Sequence, residues 1–455
     1  MKNIFFQTAL VSSLSFACAQ APKSATTAMP SDLKGYQAWS SKEVSFPPLK
    51  SVTLDNGLRI NFIYDATLPR VSFSLITFAG LNEEKPEQAG INALTAYTMS
   101  EGTQTRTAIQ INEALGQLGT EIDINPSHEF TEFNLDTLST TKQEALDIFA
   151  DIILNPKFND NDLNRIRKNL EASIKKRVDN PGAYASEQMQ QWFMGSHPFA
   201  RSLEGSLETL GKLKRQDLIK HYSAWYRPNN SVLSVVGKYD AEFENVVKTV
   251  FGSWVKREEV KTNNLSQLNY PKEKTKNVKK SNLKQSEIRM YLPGVPRRSP
   301  DTISLRLANE ILGGSFSSRL NQKIRGQLGL TYSIYSGLQQ GKDLGTIRIS
   351  TFTKNETVDK LVVESKAVIS EFWKNGITET ELQLAKQLII GQFPRVLETS
   401  DRIAYNIVVL DYFGVDPHSL TTYTTQVEKT TLKEVNEVIK RYFNPETLYL
   451  LTLTP

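Results

Sequence analysis

The apolar positions of this 455-residue chain run through two rounds of one pattern. Val71-Ser-Phe-Ser-Leu-Ile-Thr-Phe alternates apolar and polar residues and predicts a half-buried strand; Ile288-Arg-Met-Tyr-Leu predicts its counterpart further on. In each round an apolar helix follows, then strands of period two, then long helices. Asn161 to Lys176 and Glu379 to Leu397 carry apolar residues at helical spacing. The first is preceded by Asn159-Asp160. The second starts at Thr378 with Glu381 three residues on, a capping box that satisfies two free N–H groups at the helix start.

Short sequence matches fall in register with these rounds. Gly116-Gln-Leu-Gly119 recurs as Gly326-Gln-Leu-Gly329, each before a strand-like run, Thr120 to Asn125 and Leu330 to Ser336. Gly195-Ser-His-Pro198 pairs with Gly414-Val-Asp-Pro417. Tyr226-Arg-Pro-Asn-Asn230 pairs with Tyr442-Phe-Asn-Pro-Glu446, each before an apolar strand, Ser231 to Val236 and Thr447 to Leu453. Four matches in one order imply two related domains. Strand runs followed by helix runs predict an α+β fold. The polar stretch around 258–275 divides a first domain, 46–257, from a second, 276–455.

Composition narrows the class without choosing a function. With 39% hydrophobic and 23% charged residues the chain is an ordinary globular protein. A net charge of +5, made of interspersed signs, does not indicate nucleic acid. The longest basic run, Lys272 to Lys284, lacks an aromatic platform and reads as a solvated linker or edge strand. At the N-terminus, Lys2 precedes an apolar stretch, Ile4 to Ala17, of signal-peptide rather than membrane-spanning length. Ala17-Cys18-Ala19 suits cleavage before Gln20, giving a signal peptide over 1–19 and a flexible tether over 20–45. The only cysteine, Cys18, also lies where a lipid anchor would be attached, so export and envelope anchoring are both open. No later segment is apolar enough to span a membrane.

Leu54-Asp-Asn-Gly-Leu-Arg-Ile60, the stretch from Phe78-Ala-Gly80 to Gly102-Thr103, and Tyr226-Arg-Pro-Asn-Asn230 through Gly237 resemble the pitrilysin/insulinase family of zinc peptidases. So do Gly313-Gly-Ser315, Ser318-Arg-Leu320 and the run from Arg325 through Gly329-Leu330 to Tyr332-Ser333. The resemblance covers nearly all of the mature chain. It implies two mostly antiparallel sheets packed with helices, together forming half of a clamshell.

The family's metal helix carries H-x-x-E-H-x-x-x-x-G-T, two His for zinc with a Glu between them as general base. Here those positions are Ala93, Ala96 and Tyr97, which can neither hold zinc nor take a proton from bound water. The third ligand of the family, a Glu shortly before an Asp-Asn-Pro-like turn, would fall at Ala172 or Ser173. Glu171 is adjacent, but one residue turns a helical side chain by about 100°. The four histidines, His128, His197, His221 and His418, form no second H-x-x-E-H. His128 with Glu129 and Glu132 falls in an alternating run that would place His128, Phe130 and Glu132 on one strand face. One His and one carboxylate make an incomplete zinc set. His197 and His221 read as ordinary structural residues.

The resemblance leaves Arg325 and Tyr332 as the substrate-binding pair, fixed donors that contact the peptide and the carbonyl under attack. It also makes Asn125-Pro126-Ser127 with its following strand the edge to which substrate peptides add, with Pro126 removing a donor there. The expectation is therefore a non-catalytic subunit of an exported two-chain zinc peptidase. No cofactor is expected on this chain; an H-x-x-E-H partner would supply zinc and general base, and the substrate would be an unfolded peptide. The other reading is a proteolytically inert scaffold or peptide-holding protein on the same fold. An autonomous peptidase is disfavoured by the missing ligands.

Overall fold

The computed structural model describes residues 47–258 and 268–455. The expected signal peptide, Cys18, the tether and the centre of the linker lie outside the described residues. No described helix is long and apolar enough to cross a membrane.

The first half contains β1 (Leu49–Thr53), β2 (Arg59–Tyr64), β3 (Arg70–Thr77), α1 (Ile91–Met99), α2 (Ala108–Gln117), β4 (Ile122–Pro126) and β5 (Thr131–Leu138). It continues through α3 (Lys142–Leu154), α4 (Asp160–Asp179), α5 (Pro181–Met194), α6 (Leu207–Lys212), α7 (Arg215–Trp225), β6 (Ser231–Gly237) and α8 (Ala241–Gly252). The second half contains β7 (Thr275–Lys279), β8 (Gln285–Pro293), α9 (Thr302–Asn309), β9 (Ile334–Gln340), β10 (Gly345–Lys354) and α10 (Val358–Asn375). It ends with α11 (Glu379–Gln392), α12 (Ser400–Phe413), α13 (Ser419–Lys429), α14 (Leu432–Tyr442) and β11 (Tyr449–Thr454). The capping box at Thr378 and Glu381 forms as expected.

The duplication is realised strand by strand. One sheet has the order β1-β2-β6-β3-β5-β4 and the other β7-β11-β8-β10-β9. In both, one parallel pair, β2 with β6 or β7 with β11, sits among antiparallel neighbours. Gly119 and Gly329 adopt left-handed φ of 63° and 59° just ahead of the terminal strands β4 and β9. Gly195 and Gly414 end α5 and α12 at φ 56° and 66°. These are conformations that glycine reaches without a Cβ clash. The basic run near Lys276 becomes β7, an exposed edge strand.

Alternation along each strand gives both sheets two apolar faces. In the first half Phe73, Leu75, Phe133 and Val235 point into a core with α1, α3 and α8. The opposite face, Ile63, Ile76, Val232 and Val236, is covered by Ile403, Ile407 and Val408 of α12 from the second half. The second sheet mirrors this: Met290, Ile347 and Leu450 pack on their own helices. Its other face, Tyr291, Tyr449, Leu451 and Leu453, is covered by Ala185, Met189 and Phe193 of α5 from the first half. An ion pair between Arg59 on β2 and Asp411 on α12 ties the exchange at the surface.

Ile407 is fully buried beneath this exchange. Ile407→Ala is expected to lower the unfolding free energy by about 2–5 kcal/mol. Urea unfolding should show one cooperative loss for both halves; an unshifted midpoint would contradict the role given to α12.

Candidate functional site

Helix α1 is buried on nearly every side, which the small residues at its motif positions allow. Ala93 and Ala96 lie in the first core, and Tyr97 packs against it. The helix starts at Gly90, φ 92°, where a Cβ would lie 2.5 Å from the Glu204 carbonyl oxygen. The Glu84 carboxyl oxygens accept from the Gly90 N–H at 2.9 Å and the Asn92 N–H at 2.8 Å, satisfying two of the free donors of the helix N-terminus. Below it, Asn92 is the hub of a buried polar network. Its Oδ1 accepts from Tyr226 Oη at 2.8 Å and lies 3.1 Å from His221 Nε2, and its Nδ2 donates to Thr131 Oγ1 at 2.9 Å. Complete burial pushes His221 down to about 3, so the imidazole stays neutral. None of this network was legible in the sequence beyond the single expectation that His221 is structural.

Tyr97 is the one motif position that is only half buried, and burial, then the nearby Glu204, push its phenol up. Glu204 is itself engaged: Arg177 Nη1 lies 2.6 Å from it, and Arg177 Nε lies 3.3 Å from Glu187. The residues expected at the third-ligand position carry no ligand group and do not face the core. Ala172 and Ser173 are exposed on the outer side of α4, and its buried stripe is Leu163, Ile166, Leu170 and Ile174. The 100° step per residue puts Ile174, not Ser173, on the inward face. Among the described residues no group of three or more His, Cys, Asp or Glu side chains could hold a metal ion.

The alternating run around His128 is also different from its prediction. Residues 127–130 form the turn between β4 and β5, because the Ser127 N–H donates to the Phe130 carbonyl at 2.8 Å. The three groups diverge. His128 lies edge-on to Phe199 at 5.0 Å and is pushed down to about 4 by burial, then Arg348. Glu129 accepts from the Lys342 N–H at 2.8 Å in the second half. Glu132 accepts from Asn134 Nδ2 at 2.5 Å.

The same turn defines the sheet edge. β4 is terminal in its sheet, and β5, which follows Ser127, is interior; the edge is Asn125-Pro126 itself. Since Ser127 bonds to Phe130, Asn125 and Asp123 bond inward, whereas Ile122, Ile124 and Pro126 turn their backbone outward. The N–H missing at Pro126 is therefore missing from the free edge, where proline is tolerated. Beside it runs a polar groove of about 700 Å³ that includes Asp123, Asn125, Glu132, Asn134, Asp136 and Tyr405. The equivalent edge in the second half is partly covered. Asn321 Nδ2 donates to the Ile334 carbonyl at 2.8 Å, and Asn309 Nδ2 to that of Ser336 at 3.1 Å.

The structure brings Arg325 and Tyr332 together. The guanidinium carbon lies 5.2 Å from the centre of the Tyr332 ring and 4.4 Å from that of Phe316. Arg325 makes no ion pair or hydrogen bond among the described residues, and Tyr332 is 78% exposed. Two π-helical segments, Glu310–Gly314 and Asn321–Gln327, flank the loop bearing Phe316, and the second carries Arg325. Phe316 was passed over in the sequence, although a large apolar residue inside Gly-Gly-Ser-Phe-Ser-Ser is a visible anomaly.

Comparison with known proteins shows the family and the fold. Residues 59–206 match the model described as Insulinase (Peptidase family M16), and residues 212–389 that of the Peptidase M16 inactive domain. The chain belongs to peptidase family M16. It is similar to "Uncharacterized zinc protease YmxG" of Bacillus subtilis, with 27% identity over 78% of this chain and 85% of that protein. It is likewise similar to "Non-peptidase homolog YmxG" of Helicobacter pylori, with 25% identity over 85% of this chain and 90% of the relative. A crystal structure of a peptidase M16 inactive domain from Pseudomonas fluorescens shares the fold, with TM-score 0.84 at 23% identity over 90% of this chain and 98% of that one. As an M16 member the chain is non-catalytic in type, with alanine, alanine and tyrosine on its metal helix.

The buried Glu84 gives the M16 helix α1 a pH signature. Burial raises its carboxyl to about 8, against the opposing pull of the Asn92 and Gly90 N–H groups and of Arg201. Between an unfolded value near 4.5 and about 8 the native state holds a proton that the unfolded state has lost, so this group makes stability fall as pH rises. Urea unfolding from pH 5 to 8 should show a weaker decline in Glu84→Gln than in the parent. Parallel pH profiles would contradict the assignment.

Proposed function

We propose that this chain is the non-catalytic subunit of an exported two-chain zinc peptidase acting on unfolded peptides. The observation that carries the reading is the contrast between its two halves. α1 has no group able to bind zinc or accept a proton at Ala93, Ala96 and Tyr97, while Tyr332 stands exposed and the half-buried Arg325 has no carboxylate partner among the described residues. The neighbouring Arg319, by contrast, is paired with Glu381 at 2.7 Å.

In this reading the partner carries H-x-x-E-H, zinc and the general base. Arg325 and Tyr332 reach the bound peptide as N–H and O–H donors to a carbonyl oxygen. Donors fixed before the reaction stabilise negative charge without reorganising when it develops. The open backbone at Ile122 and Ile124 would let an extended peptide pair with β4, and Pro126 would end that pairing for lack of a donor. Export follows from the apolar stretch Ile4 to Ala17, with Cys18 as a place for a lipid anchor. The second reading, an inert scaffold or peptide-holding protein, accounts for the lost metal helix but gives Arg325 no task.

Mixing this chain with an H-x-x-E-H relative from the same genome should yield chelator-sensitive cleavage of an unstructured fluorogenic peptide that neither protein performs alone. In that mixture Arg325→Ala should lower kcat/KM by about 10²-fold or more while the complex keeps its mass. Peptide binding without cleavage by any mixture would favour the scaffold reading. Cleavage indifferent to Arg325→Ala would remove its assigned role.

A further inference from the structure

Phe316 and Tyr332 are 77% and 78% exposed, the two most exposed of the large apolar side chains, and both flank one guanidinium. Neither belongs to a hydrophobic core cluster. Phe316, which has no polar atom, gains nothing from solvent. Its place is nonetheless held from below. Gly313 lies against β9 so closely that a Cβ there would meet Ser336 Cβ at 2.5 Å. Asn321 Nδ2 donates to the Ser315 carbonyl at 3.0 Å and to the Ile334 carbonyl at 2.8 Å. One amide thus fixes the loop that carries Phe316 to the strand that follows Tyr332.

We infer that Phe316 is a positioning residue for Arg325, its ring holding the guanidinium by a cation–π contact in place of a carboxylate. The choice has a chemical consequence. A carboxylate partner would occupy the N–H groups of Arg325 and neutralise it. An aromatic ring attracts the cation through its face and leaves the N–H donors free. What such a guanidinium accepts is an oxygen ligand, a peptide carbonyl or carboxylate. This deepens the assignment of Arg325 as a substrate contact and rests on it.

A first measurement needs neither partner nor substrate. Phenylglyoxal modification of Arg325 in the full chain, followed by peptide mapping, reports how often the guanidinium leaves the ring. Phe316→Leu keeps an apolar side chain of similar bulk but no π face, and should speed modification about two- to fivefold; Phe316→Trp should stay at or below the parent rate. Equal rates in all three would overturn the inference. In the cleaving mixture, Phe316→Leu should reduce kcat/KM and Phe316→Trp should restore it, with a graded loss across increasingly fluorinated phenylalanines at 316. Activity set by bulk alone, with Leu matching Phe, would also overturn it. If no mixture cleaves peptide, the two-chain reading fails, while the modification rates still decide whether Phe316 positions Arg325.

Discussion

Each half of this protein makes a sheet with two apolar faces and enough helices of its own to cover one. That shortage is met by exchange: α12 lies on the sheet of the first half and α5 on that of the second. Ile63, Ile76, Val232 and Val236, or Tyr291, Leu451 and Leu453, would otherwise face water as a contiguous apolar surface. The hydrophobic effect therefore makes the two halves one folding body, although the sequence repeats itself. The frame this creates fixes where the open edge of one half and the aromatic–guanidinium cluster of the other stand. Neither can drift without uncovering a sheet.

The frame is duplicated, but its ends have diverged. At the first-half edge the outward backbone of Ile122 and Ile124 faces away from β5, and only the missing donor of Pro126 limits it. At the second-half edge two asparagine amides take the outward carbonyls of Ile334 and Ser336. An exposed strand edge invites pairing with other chains, and the corresponding edges β4 and β9 are treated differently. At β9 two outward carbonyls are taken, one of them by Asn321, which also bonds the Phe316 loop. The Asn321 amide thus joins the β9 edge to the loop that carries Phe316.

Much of this was readable from the chain. Recurrent glycines marked the starts of β4 and β9 and the ends of α5 and α12 because left-handed backbone has few alternatives to glycine. The loss at Ala93, Ala96 and Tyr97 was legible because metal chemistry tolerates so few side chains. The exchange of α5 and α12 was not, since amphipathic spacing tells that a helix face is buried and not on which sheet. The run from Ser127 to Phe133 looked like continuous alternation, yet a tight turn interrupts it, a local hydrogen-bond choice that periodicity does not encode. Which face of α4 turns inward was not legible either: counting back from a turn fixes sequence distance, whereas the inward face is set by the apolar stripe that includes Ile174.

A metal helix that loses its metal does not have to unravel. The reasons lie beside α1 rather than on it. Zinc ligands are polar groups turned toward a cavity, and replacing them by alanine removes both the ion and the need to hydrate it. What still has to be satisfied is the helix N-terminus, buried with its free N–H groups, and Glu84 accepts two of them. Asn92 then ties the same turn to α7 and β5 through His221, Tyr226 and Thr131. Near Tyr97, Arg177 pairs with Glu204 and also reaches Glu187, offsetting part of the acidic charge there. The helix is thus stabilised by contacts independent of any metal, and α1 keeps packing as a wall against α4 and α7. In that state the first half keeps its packed surface and its strand edge without any metal, while Arg325 of the second half lies between two aromatic rings.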